Sequence, residues 1–205
     1  MKPLLYRGFA ATAALALGLL MGCATPQGAD YQPQRGQSGK DVIWIPTSPE
    51  LVKRMLTMAK VSSQDIVYDL GAGDGIIAIT AAKQFGARAY GIEYNPQMAV
   101  HAQNNVRAAG VADKASIRQG DIFVEKFDEA TVVTMYLLPH LNLKLRPTLL
   151  KMKPGTRIVS HAFDMNEWEA DEKVSHEYAH AFMWVVPSDV QGTWTLQEVD
   201  SKAQV

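Results

Sequence analysis

Residues 69–75 read Asp69-Leu70-Gly71-Ala72-Gly73-Asp74-Gly75. The apolar run Ile66-Val67-Tyr68 leads into them, and Ile76-Ile77-Ala78-Ile79-Thr80-Ala81-Ala82 leads out. This pattern predicts a buried strand, a glycine turn and a helix. Glycines at alternate positions let the backbone turn sharply and let a ligand approach with no Cβ in the way. The first N–H groups of the following helix are free to meet a ligand's polar atoms. Two carboxylates, Asp69 and Asp74, flank the turn, and they bear on the ligand class. Phosphate loops use free N–H groups or a lysine, and there is no Gly-Lys-Ser/Thr here. The dinucleotide fingerprint needs glycine at its first, third and sixth positions. Counted from Gly71, the sixth position is Ile76. What remains is an acidic, glycine-rich edge suited to a cationic ligand that bears adenosine.

Downstream the pattern repeats. The helix after the turn runs to about Phe85 and stops at Gly86. A second strand follows over residues 88–92 and ends in Glu93, 22 positions after Gly71. An acidic residue there can accept hydrogen bonds from both hydroxyls of a ribose. Asn95-Pro96 starts another helix by cap-and-first-turn chemistry. Residues 115–119 read as a third strand, followed by Gly120-Asp121-Ile122. Residues 130–135 are apolar and β-branched, which predicts a strand buried on both faces. It ends in Tyr136, on the side where open parallel sheets hold ligands. His140 reads as a capping residue of the next helix, residues 140–152, or as a site residue. Residues 156–160 read as a fifth strand, with His161 at its carboxyl end as a base or a packed imidazole. Residues 181–186 and 192–199, separated by Pro187-Ser188-Asp189, read as a closing hairpin.

Upstream, residues 42–50 start the ordered part. Thr47-x-x-Glu50 fits a capping box, and Ser48-Pro49 equally fits N-cap and first turn. The whole chain has 205 residues, 47% of them hydrophobic and 20% charged, enough for one domain with a real core. Its net charge of −1 gives no compositional support for a nucleic-acid partner. One cysteine excludes an intrachain disulfide and a cysteine-rich metal site, and no metal is expected. Lys2 and Arg7 precede a short apolar run at 9–21, the layout of a secretory signal over residues 1–22. Leu20-Met21-Gly22-Cys23 resembles the bacterial lipoprotein cleavage box. That resemblance implies a lipidated Cys23, a membrane anchor and a place on the periplasmic face of the cell envelope; without a functional signal the expectation is cytoplasmic. Residues 23–40 read as a flexible tether, and 41–200 as the domain.

The stretch Asp69 to Gly75 resembles the first motif of class I S-adenosylmethionine (AdoMet) methyltransferases. Residues 42–199 resemble one branch of them, the bacterial relatives of mitochondrial lysine methyltransferases that act on the ATP synthase c-subunit and the adenine nucleotide translocase. Pro46-Thr47, Gly91-Ile92-Glu93-x-Asn95-Pro96, Gly120-Asp121, Tyr136-Leu137-Leu138-Pro139, Ser160-His161-x-Phe163 and Trp168 also match. The resemblance implies an α/β, Rossmann-like seven-stranded sheet with helices on both faces and a final antiparallel hairpin. It implies AdoMet as cofactor, with Asp69 near its amino-acid end, Gly71, Ala72 and Gly73 packed against it, and Asp74 and Glu93 helping to hold it. Asp121 would take the adenine amino group, Ile122 would pack on the ring, Thr47 would lie over the cofactor, and Tyr136 would border the transferred methyl. The expected acceptor is a nucleophile such as a protein lysine. A small-molecule methyltransferase and a non-enzymatic binding module of the envelope are the alternatives, and nothing in the sequence sets the oligomeric state.

Overall fold

The sheet starts from an interior strand, β1 (Ile66–Leu70), whose side chains alternate between two apolar layers. Val67 enters one layer, and Tyr68 and Leu70 enter the other. A computed structural model, which describes residues 31–188, places six more strands around it. They are β2 (Arg88–Glu93), β3 (Ala115–Gln119), β4 (Val132–Met135), β5 (Arg157–His161), β6 (Glu172–His176) and β7 (Ala179–Val185). Their order is β3-β2-β1-β4-β5-β7-β6. The first five strands run parallel, and β7 is antiparallel to β5 and β6. The chain builds outward from β1 to β3, then returns to the other side of β1 with β4. Such a reversal opens a crevice beyond the carboxyl ends of the strands.

Helices α1 (Pro49–Met58), α2 (Ile76–Phe85) and α3 (Pro96–Ala108) share one layer, through residues such as Leu51, Met55, Ile77 and Val106. Helix α4 (Pro139–Leu149) packs Leu141, Leu145 and Leu149 into the other, with Tyr68 and Trp184. Ser48 caps α1 by accepting from Leu51 N, with Pro49 in the first turn. Thr47 is thus outside the cap, and the capping-box reading gives way. Asn95 caps α3 by accepting from Gln97 N and Met98 N. Helix α4 is capped by Leu138 with no side-chain bond, so His140 is not its cap. At the far end of the sheet, Arg157 pairs with Asp65, which also accepts from Thr131.

The closing hairpin differs from the expected one. Its strand at 181–186 is β7, but among the described residues its partner is β6, from a stretch with no strand signal. Glu172, Lys173 and Ser175 are exposed on this edge strand, and Val174 and His176 are half-buried, so no apolar alternation marks it. Residues 192–199 lie outside the described residues, as do residues 1–22 and Cys23. The second half of the segment read as a tether folds back on itself. Gly36 N donates to Trp44 O, Trp44 N to Gln37 O, and Gly39 N to Val42 O. These are backbone bonds, which polar composition does not reveal. No helix among the described residues is long and apolar enough to cross a membrane.

One glycine sets the spacing between β2 and the turn after β1. A Cβ at Gly91 would lie 2.4 Å from Ile117 Cδ1 and 2.6 Å from Ala72 Cβ. The isoleucine tip can move, but the alanine carbon is fixed to the backbone of the turn. Gly91→Ala therefore lowers stability by about 1–2 kcal/mol through overpacking. A denaturation series would show a lower midpoint with an unchanged slope.

Candidate functional site

The crevice is a cavity of about 230 Å³, bounded by the turn after β1, the ends of β2 to β4, and the segment 37–47. Each wall follows from local chemistry. Gly71, Gly73 and Gly75 all have positive φ, of 81°, 54° and 83°. This lets Gly71 N and Ala72 N both donate to Ile92 O, at 2.9 and 3.0 Å. The turn is thereby bolted to β2. Gly75 opens α2 without a side-chain cap of its own.

Of the carboxylates that line this cavity, Asp69, Asp74 and Glu93 sit around the glycine turn, and each has a different setting. Asp69 is 2% exposed and accepts from Thr134 Oγ1 at 2.8 Å, across the β1–β4 register. Burial pushes its carboxyl up to about 7, with Asp74 and Glu93 adding repulsion and the Thr134 bond opposing. Glu93 bridges the turn to α3: Oε2 accepts from Gly73 N and Oε1 from Asn95 N, both at 2.9 Å. Burial raises it as well, against those bonds. Asp74 accepts from Ile76 N at 3.2 Å, is also raised by burial, and has its carbonyl held by Asn105 Nδ2 at 3.0 Å. Among the described residues, no lysine or arginine forms an ion pair with any of the three. Their charge is open to a cation from outside.

Asp121 is in a different position. Its Oδ2 accepts from Lys40 Nζ at 2.8 Å, and this bond holds its carboxyl below the ordinary range. Its Oδ1 accepts from Phe123 N at 2.9 Å. Ile122 is half-buried on the same wall. Thr47 lines the cavity too, but its hydroxyl is 3.0 Å from His161 Nδ1. Tyr136 faces the cavity with its ring stacked on His161, and Phe163 lines the cavity beside it with ring centroids 6.5 Å apart. The structure thus brings all the sequence-expected residues from Thr47 to Tyr136 to one cavity. Among the described residues, no group of three His, Cys, Asp or Glu side chains is placed to hold a metal.

Three contributors, Lys40, Tyr94 and Trp44, escape sequence reasoning. Lys40 and Tyr94 pair over the cavity, with Nζ 4.6 Å from the ring centroid. Trp44 lies over Gly73, where an added Cβ would sit 2.5 Å from its Nε1. Phe163 closes the end beside Tyr136. The apolar run 42–45 was a signal for Trp44, but nothing in it says that the run covers a site. Lys40 sits in a polar stretch that gives no signal at all.

The glycines without Cβ and the unpaired carboxylates fit AdoMet, whose sulfonium is cationic. The comparisons with known proteins agree. The family described as ANTKMT methyltransferase domain matches residues 69–172, half of the chain. A protein-lysine N-methyltransferase from Saccharolobus islandicus is 49% identical over 66% of this chain and 86% of its own length. The mouse lysine N-methyltransferase named for the ATP synthase c-subunit is 28% identical over 62% of this chain, which spans 51% of that protein's length. A crystal structure described as an RNA methyltransferase from Salinibacter ruber, with S-adenosyl-L-homocysteine bound, is 47% identical. It superposes with a TM-score of 0.70, covering 73% of this chain and 98% of its own. By fold, by site and by these likenesses the chain belongs to the ANTKMT methyltransferase family and is an AdoMet-dependent methyltransferase.

Proposed function

We propose that the methyl acceptor is a protein lysine, and that Asp69, Gly71, Ala72, Gly73, Asp74, Glu93, Asp121, Ile122 and Thr47 hold AdoMet. The observation that carries the acceptor reading is the apolar end of the cavity, where Tyr136, Leu137, Leu138, Leu141 and Phe163 meet. A lysine stem fits such a wall, and burial there lowers the lysine pKa toward the uncharged, nucleophilic amine. The name of the Saccharolobus islandicus relative supports the same acceptor. A second acceptor class, RNA, has the description of the Salinibacter ruber structure in its favour. Against it, a net charge of −1 supplies no excess of cations for a phosphate backbone.

When bound, AdoMet supplies a methyl group activated by its sulfonium. The chain's own residues do the rest. Asp69, oriented by Thr134, offers negative charge to the ligand's amino-acid end. Glu93 fixes the turn through Gly73 N and keeps lone pairs for a ribose. Asp121, which here accepts from Lys40, would hold the adenine amino group, and Ile122 would pack on the ring. Trp44 and Thr47 cover the cavity against water, and Tyr136 borders the methyl. Positioning of this kind lowers barriers by roughly 7–11 kcal/mol at best, and a methyl transfer to an uncharged amine needs no acid–base dyad.

The test is methyl-tritiated AdoMet with the purified protein and a cell extract. The expected result is label that survives ribonuclease and appears as methyllysine after acid hydrolysis. Label removed by ribonuclease, or confined to small molecules, contradicts the lysine reading. We also propose a lipidated Cys23 and an envelope location, supported by Lys2, Arg7, the apolar run 9–21 and Gly22-Cys23. Mass spectrometry of the natively purified protein checks this. An acylated amino-terminal Cys23 is expected, and an intact Met1 refutes it.

A further inference from the structure

The carboxyl end of β5 carries His161, which cofactor binding leaves unused, in contact with two residues that line the cavity. Thr47 and His161 are both buried, and Thr47 Oγ1 meets His161 Nδ1 at 3.0 Å. The His161 ring stacks on the Tyr136 ring, with centroids 3.7 Å apart and planes inclined by 32°. Tyr136 lines the cavity, whereas His161 stands behind it. The residue after His161 is Ala162, with a left-handed φ of 70°. That conformation costs a non-glycine residue about 1–3 kcal/mol and persists only where the surroundings over-determine it. Here Ala162 N donates to His180 O at 2.8 Å. Asn142 Nδ2 donates to Ser160 Oγ at 3.0 Å before the histidine, and to Phe163 O at 3.2 Å and Asp164 O at 3.3 Å after it. The loop is clamped on both flanks of the histidine.

We propose that Thr47 and His161 form a positioning pair that fixes the Tyr136 ring at the acceptor end, so that the segment covering the cavity and the methyl-bordering tyrosine move as one unit. This rests on the reading that methyl transfer takes place beside Tyr136. A role as base does not suit His161: burial pulls it down to about 4, too weakly basic to take a proton from an ammonium. An imidazole that stays neutral is suited to stacking and to one fixed hydrogen bond.

The test uses the full chain labelled with ¹³C-tyrosine, the Tyr136 signal being assigned by its loss in Tyr136→Phe. Stacking on the imidazole displaces that signal upfield. Thr47→Val and His161→Leu are each expected to shift it, while Thr47→Ser leaves it at the wild-type position. His161→Leu is expected to retain AdoMet affinity by calorimetry. Tritium transfer in the extract assay falls roughly ten- to a hundredfold in both shifting variants, as misplacement at a reacting centre does. A Tyr136 signal unmoved in both variants, or moved as far by Thr47→Ser as by Thr47→Val, overturns the proposal. Should His161→Leu fail to fold, Thr47→Val, which keeps the side-chain volume, decides the matter. Failure of the wild-type protein to bind AdoMet defeats the methyl-transfer reading instead, and the Tyr136 signal still judges the pair.

Discussion

Asp69→Asn weakens AdoMet binding about a hundredfold and, above about pH 7, makes the ligand-free protein more stable. Both effects come from one buried charge. In the unfolded chain this carboxyl loses its proton near pH 4, whereas burial holds the native one up to about 7. Between those values the native protein keeps a proton that the unfolded chain has released. Stability therefore falls as pH rises through this window and levels off above it. Asparagine carries no such penalty and can still accept the bond from Thr134 Oγ1. Its advantage is absent below about pH 4 and complete above about pH 7. Denaturant series at about pH 5 and about pH 8 would show the gain growing with pH. The ligand reverses the sign, because a cation beside Asp69 removes the cost of ionising it. A hydrogen bond to a charged group contributes about 1.5–3 kcal/mol, and each 1.4 kcal/mol is about tenfold in affinity. A variant that folds better and binds worse separates a binding carboxylate from a structural one.

Gly73→Val is expected to reduce AdoMet affinity by about a hundredfold or more while the sheet remains intact. Gly73 has a φ of 54°, which costs an L-residue about 1–2 kcal/mol, and more for a β-branched one. Its Cβ would sit 2.5 Å from Trp44 Nε1, so the indole must leave its place over the turn. The Gly73 N–H bond to Glu93 Oε2 is disturbed by the same change. Gly110→Ala separates strain from contact. Gly110 also has a positive φ, of 72°, but an added Cβ there meets nothing within 4 Å. This variant loses stability and keeps its affinity for AdoMet. Calorimetric titration of both variants, beside their melting curves, checks the difference.

Much of this site is legible in the residues because local chemistry dictates it. An acid-flanked glycine turn between a buried run and a helix marks a strand, a turn and a helix; the resemblance to class I methyltransferases adds its ligand, with Glu93 and Asp121 in register at the ends of the next two strands. Asn95-Pro96 and Ser48-Pro49 mark helix starts by the same local rules. Elements whose signal is tertiary stay hidden. β6 is an edge strand with mostly polar residues, so it shows no alternation, and the pairing of β7 with it depends on contacts distant in sequence. The fold of residues 36–44 over the cavity rests on backbone hydrogen bonds. Lys40 and Trp44 reach the site only through that fold. His161 looks like any packed histidine until Thr47, 114 residues earlier, is seen beside it.

Calorimetric titration of the wild-type protein with AdoMet at about pH 7.5 and about pH 5.5 tests the central claim most directly. A carboxylate that must be ionised to bind, and that titrates at about 7, predicts saturable binding at the higher pH and affinity weaker by roughly twenty-five-fold at the lower. No saturable heat at either pH, or an affinity that is the same at both, would contradict it.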